Sequence, residues 1–342
     1  MFNFIQNNVQ RILEKALTLT PVTKEELLFL LNLEENSFEV QMLRSVAREI
    51  SKMRFGNSAM LLCQTGVEAF PCVADCNFCS FGKSQFMHDS WHITDGMINN
   101  LQKKMIGQGI YAHFLLFMHN SDFLSIVKAV KEAKQNLPFG TDLVINCGDL
   151  SKDKLQELKN LGVNGAYHVL RLGEGLDTCL SAKDRLETIK NIKEIGLDWY
   201  TCCEPIGPEH TSKQILEQIF YANEYECFQN AVMRRIMVTD ESKKRGQISL
   251  LRSAQITAVL TIAMLANKKI SSIAIHEPDL LGLTSGANCI YAEFGVNPRD
   301  NYLETSNNRG YSIEKCKAML IDCGYKYLMQ NTNISILLTG KV

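Results

Sequence analysis

The stretch DLVINCGDLSKDKLQELKNLG, residues 142–162, contains the unit from which the fold is built. Residues 142–146 form a short β-rich run that predicts a strand, and residues 152–161 have the spacing of a helix. Gly162 stands where that helix is expected to end, because glycine adopts the left-handed conformation that stops helices. The stretch therefore predicts a strand, a loop and a helix in succession.

The same unit recurs on both sides of this stretch, without a repeat at the spacing of solenoid proteins. The predicted strands are residues 58–63, 112–118, 142–146, 166–170, 199–202, 231–238, 271–275 and 289–292. The predicted helices between them are residues 94–108, 122–136, 152–161, 182–195, 212–226, 250–266 and 280–284.

Eight strands that alternate with helices predict a parallel sheet, and their total length matches a closed (β/α)8 TIM-type barrel of about 250 residues. An open, doubly wound sheet is the alternative. We expect the barrel at residues 57–300 and a C-terminal helix and tail that close it at residues 301–342. Residues 1–56 are expected to form a helical extension with helices at 2–17, from Thr23 and at 35–55; the second opens with the capping-box pattern Thr23-Lys-Glu-Glu26.

The composition of the 342 residues is that of a globular protein with a large core, at 46% hydrophobic and 21% charged. The net charge of -1 gives no electrostatic reason to expect nucleic acid or an acidic membrane surface as a partner. No apolar run approaches the roughly 20 residues that span a bilayer, and the N-terminus does not resemble a secretory signal. We therefore expect a cytoplasmic protein.

Three of the twelve cysteines, Cys72, Cys76 and Cys79, follow closely on the first predicted strand. This places their thiols in a loop at the carboxyl-terminal mouth of the barrel, where such folds carry their chemistry. Soft thiolates are ligands of iron–sulfur clusters and of zinc. A [4Fe-4S] cluster held by three cysteines keeps one iron open to an outside ligand. A structural zinc site with His88 as a further ligand is the alternative.

The motif Cys72-VAD-Cys76-Asn-Phe78-Cys79 resembles the C-x₃-C-x-Φ-C motif of the radical S-adenosylmethionine (SAM) superfamily, and the chain is similar to its biotin-synthase-like branch. Residues 146–151, NCGDLS, and 285–295, SGANCIYAEFG, resemble segments after the third strand and at the eighth strand of that branch. The resemblance implies that the open iron binds SAM and that one electron, from a reductant such as flavodoxin or ferredoxin, cleaves SAM to a 5′-deoxyadenosyl radical. This radical takes a hydrogen atom from the substrate.

The resemblance also implies which residues bind SAM. Arg185 matches a family arginine that holds the SAM carboxylate, as a guanidinium fork can bond both oxygens. His168 and Glu174 lie in the region of the ribose and amine contacts, with Arg171 between them, and Phe78 is the aromatic residue of the motif. The resemblance also places Ile206 and Gly207 against the adenine of SAM. The family's GGE-like signature after the second strand is replaced here by Met118-His119-Asn120.

Polar residues recur where predicted strands end, which predicts a polar pocket for a small molecule. The candidates for substrate contact are Asn146, His119, Glu204, His276 and Glu277.

Biotin synthase holds an auxiliary [2Fe-2S] cluster, and the resemblance places Cys147 at one of its ligand positions and Cys202 within a residue of another. Two of four ligands argue against biotin synthase itself. We therefore expect lyase or mutase chemistry in cofactor or specialised-metabolite biosynthesis, with oligomerisation left open. Sulfur insertion at an auxiliary cluster is one alternative, and a zinc-stabilised binding barrel is another.

Overall fold

The computed structural model describes residues 7–331 and 335–338. Its centre is a barrel of eight parallel strands. The barrel is closed because the first strand pairs with the eighth, from Met60 opposite Cys289 to Gly66 opposite Gly295. This closure confirms the predicted (β/α)8 barrel and excludes the open sheet. In order, the barrel strands are Ser58–Gly66, Ile110–Leu116, Asp142–Asn146, Gly165–Tyr167, Asp198–Tyr200 with Cys203–Ile206, Gln229–Arg234, Ser272–Ile275 and Cys289–Gly295.

The helices between these strands begin where a polar side chain caps them, except for Met97–Met105, which follows Gly96 without a side-chain cap. The hydroxyls of Ser151, Ser181 and Thr211 each accept the backbone N–H three residues on, which satisfies a donor that the helix leaves unpaired. Gly162 and Gly196, just after two of these helices, have φ values of 95° and 68°, in the left-handed region. The helices are Met97–Met105, Phe123–Gln135, Lys152–Asn160, Ala182–Glu194, Ser212–Glu224, Leu250–Ala263 and Leu280–Leu283.

Three helices precede the barrel, at Asn7–Leu17, Lys24–Leu31 and Phe38–Phe55. The predicted capping box is present, since the Thr23 hydroxyl accepts the N–H of Glu26 and the Glu26 carboxylate accepts the N–H of Thr23. Residues 2–6 of the first predicted helix lie outside the described residues. These helices share one hydrophobic core with the barrel. The second and third pack against the helix Leu250–Ala263, and the first packs against the third. The helix Leu250–Ala263 is therefore buried on every side from Ser253 onward.

Several short elements were not predicted from the sequence. They are the hairpin strands Glu68–Ala69 and Trp91–His92, the helix Asp240–Arg245, and the strands Tyr327–Met329 and Ser335–Leu337, which follow the C-terminal helix Ile313–Asp322. The predicted fifth strand spans an interruption in which Thr201 and Cys202 leave the regular ladder. Residues 332–334 and 339–342 of the predicted tail lie outside the described residues.

Large side chains close the barrel below its mouth. The rings of Tyr200 and Tyr291 pack edge-on against Phe114, with centroids 5.0 and 5.2 Å apart. The interior is therefore a packed core, and the space for a ligand lies above it, at the carboxyl ends of the strands.

None of the described helices is long and apolar enough to cross a membrane.

Candidate active site

The loop that carries the three cysteines folds back on itself. The N–H of Cys72 donates to the carbonyl of Phe81 at 2.8 Å, and the N–H of Lys83 donates to the carbonyl of Cys72 at 3.0 Å. Gly82 lies opposite Cys72, and a Cβ at this position would come 3.1 Å from the carbonyl oxygen of Cys76. Glycine therefore lets the two arms of the loop close around the thiols.

Loops from three other strands hold the segment between the cysteines. The backbone N–H and the side-chain amide of Asn77 both donate to Asp177, each at 3.0 Å. The Thr239 hydroxyl donates to the carbonyl of Asn77 at 2.6 Å, and the Ser80 hydroxyl donates to the carbonyl of Asp300 at 2.8 Å. Asp177, Thr239 and Asp300 follow the fourth, sixth and eighth barrel strands. The barrel as a whole therefore fixes the position of the cysteine loop.

The three thiols are largely withdrawn from solvent, with Cys72 and Cys76 each 8% exposed. Burial raises the pKa of Cys76 to about 12 despite the nearby Arg171 guanidinium, and burial also raises the pKa of Cys79. The three sulfurs do not all lie within 4.8 Å of one another. A tetrahedral zinc ion with Zn–S bonds of about 2.3 Å would bring them to roughly 3.8 Å. Three soft donors at a wider spacing fit separate irons of one cluster better than a single ion.

The thiols open into a cavity of about 980 Å³ at the mouth of the barrel, a volume that includes its open entrance. Sites for small molecules commonly enclose about 300–1,000 Å³. The sequence-predicted residues that line this cavity are Cys72, Cys76, Cys79, Phe78, His119, Asn146, Cys147, Arg185, Glu204 and His276. Those that do not line it are His168, Glu174, Cys202, Ile206, Gly207 and Glu277.

Two arginines from the fourth β/α unit lie near the cysteines and differ in how they are engaged. Arg185 is almost fully buried, and its Nε and one terminal nitrogen donate to the carbonyl of Val169 at 3.0 and 2.9 Å. Arg171 pairs through Nε with Glu204 at 3.2 Å. No hydrogen bond joins its two terminal nitrogens to the described part of the protein. Arg171 therefore has donors available to an anion in the cavity.

Asp149 organises the groups behind these arginines. Its carboxylate lies 3.0 Å from Nε2 of His168, and it accepts hydrogen bonds from Arg185 and from the Thr188 hydroxyl, each at 3.2 Å. These partners and nearby His119 hold the pKa of Asp149 well below its usual range, against the opposing effect of burial. Burial lowers the pKa of His168 to about 3, so this imidazole is neutral at physiological pH. His168 therefore supports the site through Asp149 rather than from the cavity wall.

The chain is similar in sequence to biotin synthases. No protein-family model matches the chain. The biotin synthase of Aquifex aeolicus is 27% identical over 212 residues, which cover 58% of this chain and 61% of that protein, less than two thirds of its length. The biotin synthase of Carboxydothermus hydrogenoformans is 24% identical over 350 residues, covering 95% of this chain and 100% of that protein.

Solved structures share the whole architecture. Methylornithine synthase (PylB) superimposes with a TM-score of 0.77 at 20% identity, over 92% of this chain and 96% of that one. HydG, a maturase of the [FeFe]-hydrogenase, gives a TM-score of 0.79 at 16% identity, over 95% of this chain and 76% of that one. The likeness to biotin synthases in sequence, and to PylB and HydG in fold, supports the predicted resemblance to the biotin-synthase-like branch of the radical SAM superfamily. It favours a radical SAM enzyme with a [4Fe-4S] cluster and SAM over the zinc-stabilised binding barrel.

The loop after the fourth barrel strand is held by Glu174. Its carboxylate accepts the N–H of Arg171 at 3.0 Å and the Thr178 hydroxyl at 2.6 Å, and it lies 3.7 Å from Nε of Arg185. Glu174 thus orients both arginines from outside the cavity. Its predicted contact with the ribose or amine of SAM stays a prediction.

Ile206 and Gly207 lie at the end of the fifth strand, where the Ile206 side chain is fully buried. A Cβ on Gly207 would clash with the guanidinium of Arg235 and with the carboxylate of Glu209, which form an ion pair. Glycine at this position is therefore explained by the ion pair. The predicted contact of these two residues with adenine has no geometric counterpart among the cavity-lining residues.

Polar side chains from the fourth, fifth and seventh strands line the part of the cavity that we call the strand-end side, defined by Tyr167, Glu204 and His276. The Tyr167 hydroxyl donates to Glu204 at 2.8 Å, and its ring lies 5.3 Å from the imidazole of His276. Nε2 of His276 has no hydrogen-bond partner among the described residues. Burial and the neighbouring Arg299 guanidinium lower the pKa of His276 well below its usual range.

Three other predicted substrate residues have different positions. Asn146 and His119 line the cavity, and Nε2 of His119 lies 3.9 Å from the carboxylate of Asp149. Glu277, next to His276, instead forms ion pairs with Arg234 and Arg309. Of the two predicted auxiliary-cluster cysteines, Cys147 lines the cavity and Cys202 is buried behind it.

Sequence reasoning missed several residues of the cavity or its surroundings, among them Asp149, Tyr167, Arg299 and Met233. Asp149 lies within the quoted NCGDLS segment, and its position just past a strand end is the signal that could have identified it. Arg299 donates to the carbonyl of His276 at 2.7 Å and pairs with buried Glu293, contacts that no sequence spacing reveals.

Proposed function

We propose that this chain is a radical SAM enzyme in which Cys72, Cys76 and Cys79 hold the [4Fe-4S] cluster. The observation that carries the proposal is the convergence of three buried thiols on one wall of the cavity, at a spacing wider than one ion requires. The raised pKa values of Cys76 and Cys79 do not oppose this role, because metal ions displace protons from thiols on binding. Within the described residues, no other three cysteines have this sequence spacing.

We further propose that Arg171 and Arg185 bind the carboxylate of SAM. Both line the cavity beside the cysteines, and the free terminal nitrogens of Arg171 suit a charge-assisted hydrogen bond. Glu204 holds the guanidinium of Arg171, and Asp149 and Glu174 hold that of Arg185, before the ligand arrives. This lowers the ordering cost of binding. When bound, the cluster and SAM supply radical chemistry that takes a hydrogen atom from the substrate.

The strand-end side is proposed to bind a small polar substrate, with Glu204, His276, Asn146 and His119 as its contacts. Its carboxylate, imidazoles and amide offer both hydrogen-bond donors and acceptors, while Met233 and Leu116 add apolar surface. These groups would orient the substrate and exclude water from its reacting carbon. Electrons are proposed to come from a small reductant protein such as flavodoxin or ferredoxin.

We favour lyase or mutase chemistry over sulfur insertion. Sulfur insertion needs an auxiliary cluster as a sulfur source, and Cys147 and Cys202 supply two of four ligands. Cys202 moreover shares its space with Glu204 and His276. The lyase or mutase reaction needs one cluster alone.

The test is anaerobic reconstitution followed by iron and sulfide analysis and incubation with SAM and dithionite. We expect about four irons per chain and formation of 5′-deoxyadenosine. About six to eight irons per chain would instead favour sulfur insertion. A reconstituted protein that binds four irons and never yields 5′-deoxyadenosine, with or without candidate substrates, would contradict the proposed function.

A further inference from the structure

Three potential metal ligands of different chemistry meet on the strand-end side. The sulfur of Cys202, a carboxylate oxygen of Glu204 and a ring nitrogen of His276 all lie within 4.8 Å of one another. Cys202 and Glu204 belong to the interrupted fifth strand, and His276 directly follows the seventh. The three side chains are 1%, 5% and 8% exposed, so none of them is an incidental surface group.

His276 carries the second, independent observation. Its Nε2 atom is buried and has no hydrogen-bond partner among the described residues, although buried polar atoms are nearly always paired. The imidazole is held by flanking groups, since its ring packs 4.6 Å from that of Tyr291 and its carbonyl accepts from Arg299. The imidazole is fixed in place, and its unpaired nitrogen is available to a ligand that the described residues do not supply.

Glu204 has the outer partners that metal-binding carboxylates usually have. Tyr167 donates to one of its oxygens at 2.8 Å and Arg171 lies 3.2 Å from the other. Each carboxylate oxygen has a second lone pair, so these contacts leave room for an ion. Cys202 and Glu204 are two residues apart along the fifth strand, a spacing that places side chains on the same face, and the thiol shares the space of the carboxylate.

We propose that Cys202, Glu204 and His276 form a site for a single divalent d-block ion, with zinc as its simplest occupant. A sulfur, a nitrogen and an oxygen donor together suit zinc or a similar borderline-soft ion and are unlike the oxygen cages of magnesium and calcium. This site is separate from the three-cysteine loop and does not depend on the function proposed for that loop.

Three protein ligands leave one coordination position of a tetrahedral ion open, as in catalytic zinc sites. Because Glu204 and His276 line the cavity, the open position lies on the substrate's side. A divalent ion bound by one thiolate, one carboxylate and one neutral imidazole has no net charge, and the nearby Arg171 adds a positive charge. The site therefore selects an anionic fourth ligand, such as a carboxylate of the substrate.

Zinc binding to the cluster-loaded protein tests this site. The protein is dialysed anaerobically against zinc, and bound zinc and iron are measured by mass spectrometry. We expect one zinc per chain in the unaltered protein. His276→Gln and Cys202→Ser should each weaken zinc binding at least about tenfold, because each removes a direct ligand. Cys147→Ser, which alters a cavity cysteine outside the proposed site, should bind zinc normally.

A second arm separates this site from the cluster. The variant with Cys72, Cys76 and Cys79 all changed to Ser should lose its iron and keep the zinc. Loss of the zinc in this variant, no zinc in the unaltered protein, or equal affinity in His276→Gln would each overturn the proposal. If Cys202→Ser fails to fold, cobalt loaded into the variant without the three loop cysteines, with and without the further change Cys147→Ser, decides the question. A thiolate-to-cobalt absorption band in both supports the site, and its absence from both overturns it.

Discussion

The cavity has two sides that are built in different ways. The cluster side is a single loop, in which three thiols lie between residues 72 and 79 and the backbone closes on itself between Cys72 and Phe81. The strand-end side consists of Tyr167, Glu204 and His276, each from a different barrel strand. A metal-binding loop brings its ligands together locally, whereas the strand-end side exists only when three strands are in register. We therefore expect a single substitution on one side of the cavity to leave ligand binding on the other side intact.

The largest expected effect of a single change is on the cluster side. Cys76→Ser removes one of three thiolate ligands, so we expect reconstituted iron and SAM cleavage to fall to background. Iron analysis and chromatography of 5′-deoxyadenosine measure this. The matched control is Cys179→Ser, which alters an exposed cysteine and should keep full iron. Full iron in Cys76→Ser would show that the loop is not the cluster site.

The next largest expected effect is the loss of SAM affinity on substitution of Arg171, which lies where the two sides of the cavity meet. Arg171→Gln removes a charged donor from the cavity, and a hydrogen bond to a charged group contributes about 1.5–3 kcal/mol. We expect the Kd for SAM to rise about 10- to 150-fold, measured by calorimetry on cluster-loaded protein. Arg234→Gln is the control, because Arg234 pairs with Glu277 outside the cavity lining. Equal affinities in the two variants would remove Arg171 from the SAM site.

Asp149→Asn should affect stability together with SAM binding. The carboxylate joins His168, Arg185 and Thr188, and its replacement leaves buried donors poorly paired, at a cost of about 1–3 kcal/mol in the free energy of unfolding. Chemical denaturation at neutral pH measures this difference.

The difference in the free energy of unfolding between the unaltered protein and Asp149→Asn is expected to depend on pH. The pKa of Asp149 is lowered on folding, so its contribution is present above its unfolded pKa of about 3.9 and is lost as the pH falls below it. The stability difference between the unaltered protein and Asp149→Asn should therefore shrink on acidification below about pH 4. A difference that stays constant down to pH 2 would rule out ionised Asp149 as its source.

The smallest expected effect concerns the hydrogen bonds by which the barrel holds the cysteine loop. Thr239→Val removes the hydrogen bond to the carbonyl of Asn77, which contributes about 0.5–1.5 kcal/mol, and also the hydroxyl that caps the helix Asp240–Arg245. We expect unchanged iron content and a release of iron to a chelator that is faster by a factor of about 2–12. Thr211→Val, which removes the cap of a helix away from the loop, is the control. Identical release rates in both variants would show that the loop keeps its cluster without this contact.

The fold and the cluster side were predictable from sequence because both are local. A β-rich run and a helical stretch recur in each unit, most of the helices have a cap, and Cys72, Cys76 and Cys79 lie on one loop. Elements too short to show a period, such as the helix Asp240–Arg245, gave no such signal.

The strand-end side could be predicted only in part, because it depends on side-chain direction. His276 and Glu277 were both predicted to contact the substrate, yet neighbouring residues near a strand end point in different directions. His276 lines the cavity, and Glu277 pairs with Arg234 and Arg309. Arg299 was missed because its partner Glu293 becomes its neighbour only when the loop after the eighth strand folds back.

The most direct test of the central claim is Mössbauer spectroscopy of protein reconstituted with ⁵⁷Fe, before and after addition of SAM. If three cysteines hold a [4Fe-4S] cluster, one iron of the four lacks a protein thiolate. SAM should then change the isomer shift of about a quarter of the signal and leave the rest unchanged. A spectrum that does not respond to SAM, or one without a [4Fe-4S] signal, would contradict the account.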